Sequence, residues 1–454
     1  VRSSTDRAAL SGARTAVVGL GKSGVAAARL CRSAGAAVLA VDGKPTAELS
    51  AEATGLSSLG IELRGGGLGQ LDYAAFDLVV ISPGVPSFPE LRAAEAKGAR
   101  VIGEIELASW FFPDVPVLAI TGSNGKSTTV TLVGELLASA GRRPFVGGNL
   151  GDPPCAFVSA GDAPFPYDVI VLEVSSFQAE RVPTFHADAV ALLNVSPNHL
   201  DRYDGFDDYV RAKGNLFVSQ RATDRAIVPD DDARCKAEAA RGDARVLTFG
   251  RQGDYRFDAS SIRDEVRGVK YDRAGIRLAG DHNALNVCAA LGVVGALELP
   301  HDAIARALEG FAGLDHRISL VATLNGVSFY DDSKGTNVGA AVAAIRGLSE
   351  ARVVLIAGGR DKLGSYAPLV EAMKDRGRAA ILIGEAAATI ERALGDAVPS
   401  QRAASMTEAV ELAATAARPG DAVLLSPACS SFDMFRDYKH RGDAFVEAVR
   451  GLSG

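Results

Sequence analysis

The stretch Leu118–Val130 reads LAITGSNGKSTTV. An apolar run from Val115 to Ile120 leads into a turn of small polar residues. A helical pattern follows, with Val130, Val133, Leu136 and Leu137 at three- and four-residue spacing and Gly141 placed to close it. A strand, a glycine-rich turn ending in Gly-Lys-Ser, then a helix is the order that presents unpaired helix N–H groups to phosphate. The usual phosphate loop reads GxxxxGK[ST], and Ile120 stands where its first glycine belongs. GxxGKS survives from Gly122 to Ser127, so a shorter, tighter nucleotide loop is expected. In such a loop Lys126 reaches the terminal phosphates, and Ser127 or Thr128 supplies a hydroxyl to Mg2+.

Outward from this loop the chain divides into three strand-and-helix segments, 1–112, 113–313 and 314–454, each near the roughly 150 residues usual for a domain. In the first, Thr15–Leu20, Ala36–Val41 and Phe76–Ser82 read as strands of a doubly wound parallel sheet, with a helix from Gly21 to near Gly35. In the second, Tyr167–Ser175 and Ala187–Ser196 suit central parallel strands, 253–281 reads as short surface strands, and His282–Leu297 as a helix. In the third, Ile318–Asp331 predicts a hairpin turning at Asn325-Gly326, and Val353–Gly359, Ala380–Gly384 and Ala422–Pro427 predict a second open parallel sheet. The expected class is α/β, with Rossmann-like first and last domains around a P-loop ATPase-like centre of mainly parallel strands.

Composition narrows the partners. The 454 residues are 47% hydrophobic, and 48 Lys and Arg face 55 Asp and Glu for a net charge of −7. That balance disfavours nucleic acid or an anionic membrane surface. Cys31, Cys155, Cys235, Cys288 and Cys429 are scattered and form no CxxC pair, which points to a reduced cytoplasmic protein without a disulfide frame or zinc site. No apolar run approaches the roughly 18 residues of a membrane span, and Ala16–Leu20 is too short for the core of a signal peptide.

Gly19-Leu-Gly-Lys-Ser-Gly24 is a full GxGxxG after a strand, and Asp42 ends the following strand. Alone it signals a dinucleotide, or simply close packing of helix on strand. Any diphosphate can use the same helix N-terminus; no hydride-transfer constellation accompanies it, and a dehydrogenase would leave Lys126 without a purpose. Glu173 ends an apolar strand, where a carboxylate needs a partner: Mg2+ beside a phosphate loop, or water at a plain surface position. His199 follows another strand. Lys213, in the helical stretch Asp207–Phe217, reads from the residues alone as a lysine on a solvated face.

TGSNGKST resembles the ATP loop shared by the Mur ligases and the folylpolyglutamate synthases, amide-forming ligases that cleave ATP to ADP and phosphate. EVSSFQ at Glu173–Gln178, NVSPNHLDRY at Asn194–Tyr203, SPACSSFDMF at Ser426–Phe435, GGNLG at Gly147–Gly151 and DDSKGTN at Asp331–Asn337 are similar to the Mur ligases that add D-glutamate to UDP-N-acetylmuramoyl-L-alanine. These stretches touch all three segments, and SPACSSFD is not expected of a folylpolyglutamate synthase. That enzyme, and a non-catalytic nucleotide-gated regulator on the same scaffold, are the alternatives. Retained Lys126, Glu173, His199 and Lys213 speak against the regulator.

The resemblance implies roles. Gly122, Ser123, Asn124, Gly125, Lys126, Ser127 and Thr128 would bind the phosphates of ATP, with Asn283 and Asn286 at the base, Arg317 at phosphate and Asp332 at the ribose. Ser23 would contact the diphosphate of the UDP substrate and Asp42 approach its uridine; Ser82 and Gly84 complete that pocket, while Asn149 and His199 touch the substrate from the central domain. Lys334, Thr336, Lys362, Ser431 and Phe432 would hold D-glutamate, Phe432 mainly through its backbone. Ser127, Glu173, His199 and Lys213 would serve two Mg2+ sites, with Mn2+ able to substitute, and Lys213 would be carbamylated, an anion in place of a cation. Lys126, Glu173, His199 and Lys213 form the implied catalytic set. Asn198 departs from the family, which commonly has an acid before the histidine. A cytoplasmic monomer working in peptidoglycan precursor synthesis is the expectation.

Overall fold

The computed structural model describes residues 4–158, 165–199, 202–278, 280–361 and 365–452. They gather into two compact units, one of 1–195, 210–276 and 285–311, the other of 196–209, 277–284 and 312–454.

The first unit holds two sheets. β1 (Arg14–Val18), β2 (Ala37–Val41), β3 (Glu62–Arg64), β4 (Leu78–Ile81) and β5 (Val101–Gly103) lie in the order β3-β2-β1-β4-β5, every pair parallel. β1 and β4 are apolar and covered on both faces, as parallel strands between helix layers must be. The helix Lys22–Ser33 crosses β1 closely because Gly24 has no side chain: a Cβ there would stand 1.7 Å from the Gly19 carbonyl oxygen.

The second sheet contains β6 (Val117–Thr121), β7 (Pro144–Gly148), β8 (Val169–Glu173), β9 (Ala189–Leu192), β10 (Arg225–Pro229), β11 (Arg245–Gly250), β12 (Tyr255–Phe257), β13 (Ser261–Asp264) and β14 (Val269–Asp272). Their order is β14-β13-β12-β11-β10-β9-β6-β8-β7. Pairing is parallel from β7 to β12, and β12, β13 and β14 form an antiparallel extension. β6 thus lies at the interior, flanked by β8 and β9, with its loop at their carboxyl ends. β7, β10 and β11 are additions to the strands read from the sequence.

The second unit is built on β15 (Ser319–Leu324), β16 (Val327–Asp331), β17 (Val353–Gly358), β18 (Gly377–Ile383), β19 (Ser400–Arg402) and β20 (Ala422–Leu425), in the order β15-β16-β20-β17-β18-β19. Only the edge strand β15 is antiparallel, joined to β16 by the expected hairpin. Its turn needs two left-handed residues, and Asn325 (φ 51°) and Gly326 (φ 77°) provide them. Three mainly parallel sheets, two in the first unit and one in the second, give the expected α/β class. All five cysteines are free and buried. No helix among the described residues is long and apolar enough to cross a membrane.

Within the first unit one core runs from the first sheet into the second. At its centre a carboxylate is buried. Glu106, fully buried in the helix Glu104–Ser109, accepts from the backbone N–H groups of Thr184 (3.1 Å) and Phe185 (2.8 Å), from Trp110 Nε1 (3.1 Å) and from the Thr184 hydroxyl. Glu106→Leu strands these donors and should destabilise the unit by about 3 kcal/mol, the range for removing one partner of a buried charged hydrogen-bond set. The single tryptophan of the chain is one of the donors. Its fluorescence during urea denaturation is the readout, and an unmoved midpoint would contradict the account.

Candidate active site

The turn after β6 forms the loop that the sequence announces. Gly122 (φ 149°) and Gly125 (φ 86°) take conformations reserved for glycine. A Cβ at Gly122 would meet Leu193 at 3.0 Å, and one at Gly125 would meet Asn286 Oδ1 at 2.3 Å. Asn286 therefore stands directly against the loop. Asn194, after β9, braces it: its side chain accepts from Asn124 N–H (2.9 Å) and donates to the Asn124 carbonyl (3.0 Å), and its own carbonyl accepts from Ser123 N–H (3.0 Å). Asn194 was not singled out from the sequence, although it opens the NVSPNH stretch. Lys126 starts the helix Lys126–Ser139 and folds back on the loop, its Nζ donating to the carbonyls of Gly122 (2.8 Å) and Ser123 (3.1 Å). Ser127 and Thr128 occupy the first turn of that helix, and Thr128 is buried.

Lys213 is not on a solvated face. It lies on the inner side of the helix Phe206–Gly214 and is 1% exposed, its Nζ donating to the Gly122 carbonyl (3.0 Å) and toward Thr121 Oγ1 (3.4 Å). The helix turns Val210, Ala212 and Lys213 inward together, so packing overrides the usual preference of lysine for water. Burial pushes its pKa well below the ordinary 10.5, and the charge on Lys126 adds to the shift. Two amines on one carbonyl lie within about 6 Å, where like charges repel by about 3 kcal/mol at an effective dielectric near 20.

Glu173 ends β8 beside this loop and is buried. Its Oε1 accepts from Asn149 Nδ2 (2.6 Å), while its buried Oε2 has no hydrogen-bond partner. Asn149 also donates its N–H to the Glu173 carbonyl (2.8 Å). That approach requires Gly148 (φ 104°), whose Cβ would strike the same carbonyl at 2.4 Å. Asn149 thus sits beside Glu173, at the carboxyl end of the central sheet. At the opposite, amino-terminal end, His186, Asp188 and Asp224 place their ligand atoms within 4.8 Å of one another. Those carboxylates accept from Val117 and Arg221 N–H, and His186 Nε2 is 2.7 Å from Asp224, so the group pins strand ends together.

A cavity of about 1200 Å3 opens at the carboxyl end of the first sheet, lined by Gly19, Ser23, Asp42, Ser82 and Gly84 together with Asp152 and Cys155. Two of the expected ligand contacts prove also to be scaffolding. Asp42 accepts from Leu20 N–H (2.6 Å) and Lys44 N–H (2.9 Å), and Ser82 Oγ donates to the Gly19 carbonyl (2.7 Å). Both hold the glycine turn in shape.

The second unit carries the remaining residues. His199 lies in its 196–209 segment with a left-handed backbone (φ 56°), and Asn198 Oδ1 accepts its N–H (3.1 Å). Asn283 and Arg317 are half-buried in this unit. Asp332, after β16, is fully buried; its Oδ2 accepts from Ser426 Oγ (2.7 Å) and its Oδ1 has no hydrogen-bond partner. Burial raises its pKa to about 6 although Arg317 opposes the shift. Lys334 and Thr336 follow on the same loop, and Lys334 Nζ rests 5.3 Å from the ring centre of Tyr438. Ser431 is buried on the loop after β20, and Phe432 beside it is 64% exposed. β16 and β20 are adjacent and parallel, so both loops leave the carboxyl edge, where open α/β sheets bind ligands. Lys362 lies outside the described residues.

The buried amine has a measurable consequence. In the unfolded chain Lys213 is protonated up to its ordinary 10.5, whereas the fold lowers that value. Folding below the lowered value therefore carries the full penalty of a buried charge, and the penalty fades as pH rises toward 10.5. Lys213→Met should raise the melting midpoint of the ligand-free protein in carbonate-free buffer at pH 7 by about 3 °C. The gap should close with rising pH. A variant less stable than the parent at pH 7 would reverse the sign.

Comparison with known proteins agrees with this geometry. The Mur ligase MurD-like N-terminal domain matches residues 13–103, the Mur ligase middle domain 120–294, and the Mur ligase glutamate ligase domain 316–429. The UDP-N-acetylmuramoylalanine–D-glutamate ligase of Geobacter metallireducens is 42% identical over 98% of this chain and 98% of its own. That of Anaeromyxobacter dehalogenans is 43% identical over 96% of this chain and 97% of its own. Among solved structures, the MurF ligase from Thermotoga maritima in complex with ADP superposes with a TM-score of 0.62 at 17% identity, covering 98% of this chain and 97% of that one. At that identity the likeness shows the fold alone. With three family domains in order and relatives of this similarity along nearly its whole length, the chain belongs to the Mur ligase family, in the branch of the UDP-N-acetylmuramoylalanine–D-glutamate ligases.

Proposed function

We propose that the chain is an ATP-dependent ligase joining D-glutamate to UDP-N-acetylmuramoyl-L-alanine in peptidoglycan precursor synthesis. The names of its full-length relatives support this. The structural observation that carries it is the braced Gly122–Ser127 loop beside Glu173, a buried carboxylate with one oxygen open, and Lys213, a buried amine. The division of labour follows the three segments: 1–112 for the UDP substrate, 113–313 for ATP, and 314–454 to complete the ATP and D-glutamate sites. A cytoplasmic monomer fits this role.

In this reading the L-alanine carboxylate attacks the γ-phosphorus of ATP, the bond to ADP breaks, and an acyl phosphate forms. The amine of D-glutamate attacks its carbonyl carbon. The tetrahedral intermediate loses phosphate, the nitrogen gives up a proton, and the amide remains. Lys126 leaves its two loop carbonyls for the phosphates, and the N–H groups of Gly125 to Thr128 at the helix start face them. Asn283, Asn286, Arg317 and Asp332 hold the nucleotide, with the open Oδ1 of Asp332 suited to a ribose hydroxyl. Ser23, Asp42, Ser82, Gly84, Asn149 and His199 serve the UDP substrate. Lys334, Thr336, Lys362, Ser431 and the Phe432 backbone serve D-glutamate, whose two carboxylates call for cations and hydroxyls.

Glu173, Ser127, His199 and a carbamylated Lys213 would hold Mg2+. The open, buried Oε2 of Glu173 fits a hard cation that takes oxygen ligands. Mg2+ supplies neutralisation of charge on the phosphoryl oxygens. An ammonium at Lys213 would oppose it. Carbamylation needs the neutral amine, which burial favours here, and yields an anion.

Purified protein should release phosphate only when ATP, Mg2+, UDP-N-acetylmuramoyl-L-alanine and D-glutamate are all present, and Lys126→Ala should abolish this without altering the circular dichroism spectrum. Equal turnover with L-glutamate, or turnover with a folate acceptor, would overturn the assignment. For Lys213, 13C-bicarbonate should give a carbamate carbon signal that Lys213→Ala lacks. Acetate should restore part of that variant's lost activity. Full activity in Lys213→Ala, or no carbamate signal in the active protein, would remove this role and leave the ligase assignment in place.

A further inference from the structure

In the second unit a charged side chain is buried that has no role assigned so far. Arg441, in the helix Tyr438–Gly451, is 0% exposed. Among the described residues it makes no ion pair with a carboxylate. Its guanidinium is held by oxygens of two separate loops. Nε donates to Ser333 Oγ (3.0 Å), Nη2 to the Ser333 carbonyl (2.8 Å), and Nη1 to the Cys429 carbonyl (3.2 Å). A buried guanidinium without a direct ion pair is costly to keep, even with Asp433, Asp331 and Asp332 near enough to favour its charge, and leucine or methionine would fill the space at less cost. Its geometry offers what those residues lack, a rigid planar fork that reaches three acceptors at once.

The two loops are the ones after β16 and β20. Ser333 precedes Lys334 and Thr336; Cys429 precedes Ser431 and Phe432. The direct backbone link between the loops is Ala428 N–H to the Gly335 carbonyl (3.0 Å). Ser333 is fastened to the same helix a second time, its Oγ donating to the Tyr438 carbonyl (2.7 Å). Asp332 is anchored otherwise, through its N–H on the Leu425 carbonyl (2.8 Å) and its carboxylate on Ser426. The arginine fork therefore reinforces the Ala428–Gly335 bond in setting the spacing of Lys334 and Thr336 from Ser431, and Asp332 has its own ties. The packing at the fork is tight: a Cβ at Gly359 would meet Nη1 at 3.3 Å.

We propose that Arg441 is a positioning residue for the amino-acid acceptor: it clamps the Ser333 and Cys429 backbones so that Lys334, Thr336 and Ser431 converge on the carboxylates of D-glutamate. The role rests on the D-glutamate assignment above. Arg441 touches no substrate and acts through the two loops.

The test is steady-state kinetics of the full chain with each substrate varied in turn. Arg441→Met should raise KM for D-glutamate by about tenfold or more, the scale on which misplacing a binding group is felt. KM for ATP and for UDP-N-acetylmuramoyl-L-alanine should stay within about twofold. Arg441→Lys, which keeps the charge but cannot span three acceptors, should fall between parent and Arg441→Met. A purely structural arginine would lower the amount of active protein with every KM unchanged, or shift all three KM values together, and either result overturns the proposal. So does a fall in kcat with KM for D-glutamate unchanged. Should Arg441→Met fail to fold, Arg441→Lys and Ser333→Ala carry the test, and an unchanged KM for D-glutamate in both overturns it. A parent protein whose phosphate release ignores D-glutamate would instead refute the functional assignment itself.

Discussion

The carbonyl oxygen of Gly122 accepts from Lys126 Nζ at 2.8 Å and from Lys213 Nζ at 3.0 Å. One lysine is half-buried on the phosphate loop, the other fully buried behind it. Two full positive charges so near each other are unfavourable, and solvent reaches only Lys126. The cheaper outcome is to leave Lys126 charged and Lys213 neutral. Loop shape, burial and charge state are thus one constraint. The tight turn needs Gly122 and Gly125, the turn exposes a carbonyl, and the carbonyl gathers both amines.

The acidic residues show a parallel arrangement. Glu173 and Asp332 are both buried, and each has one oxygen satisfied by a neighbouring side chain, Asn149 and Ser426 respectively. The other oxygen of each is unpartnered within the protein. A half-satisfied buried carboxylate is a standing cost unless something else completes it. Glu106 in the first unit is the contrast, with donors on both oxygens and a purely internal duty. Burial alone does not reveal an acid's duty; the open oxygens of Glu173 and Asp332 fit the ligand roles proposed for them, and buried Glu104 keeps an open oxygen with no such role proposed.

Much of this was legible in the sequence, and the remainder hid for identifiable reasons. β6, its loop and its helix follow from apolar periodicity and glycine placement. Asp42 and Ser82, expected at the ligand and lining the cavity, also tie the backbone of the glycine turn, a second duty that residue type does not announce. β7 begins with proline and ends in two glycines, so it lacks the composition of a strand and forms because β8 lies beside it. The depth of Lys213 is hidden from a reading of residue types because lysine on a helix usually reaches water. The spacing held a hint, since Lys213 follows Tyr209 by one helical turn and Val210 by three residues. Arg441 gave the same hint, standing one turn before the buried Phe445 on the stripe that continues to Ala448 and Val449. A charged residue in register with an apolar stripe is the readable sign of a buried charge.

The strand order sets a timetable for synthesis. β6 pairs with β8 and β9, so the strand that feeds the phosphate loop gains its first neighbour only when residue 173 has been made and its second at residue 192. At about 5–20 residues per second, that is a wait of several seconds. β16 waits longer for β20, and the helix that carries Arg441 comes near the end of the chain. The apolar β6, with both edges unpaired, is the segment a nascent chain most needs shielded. A ribosome stalled soon after β16 would carry a first unit able to complete its loop and a β15–β16 hairpin with no sheet to join.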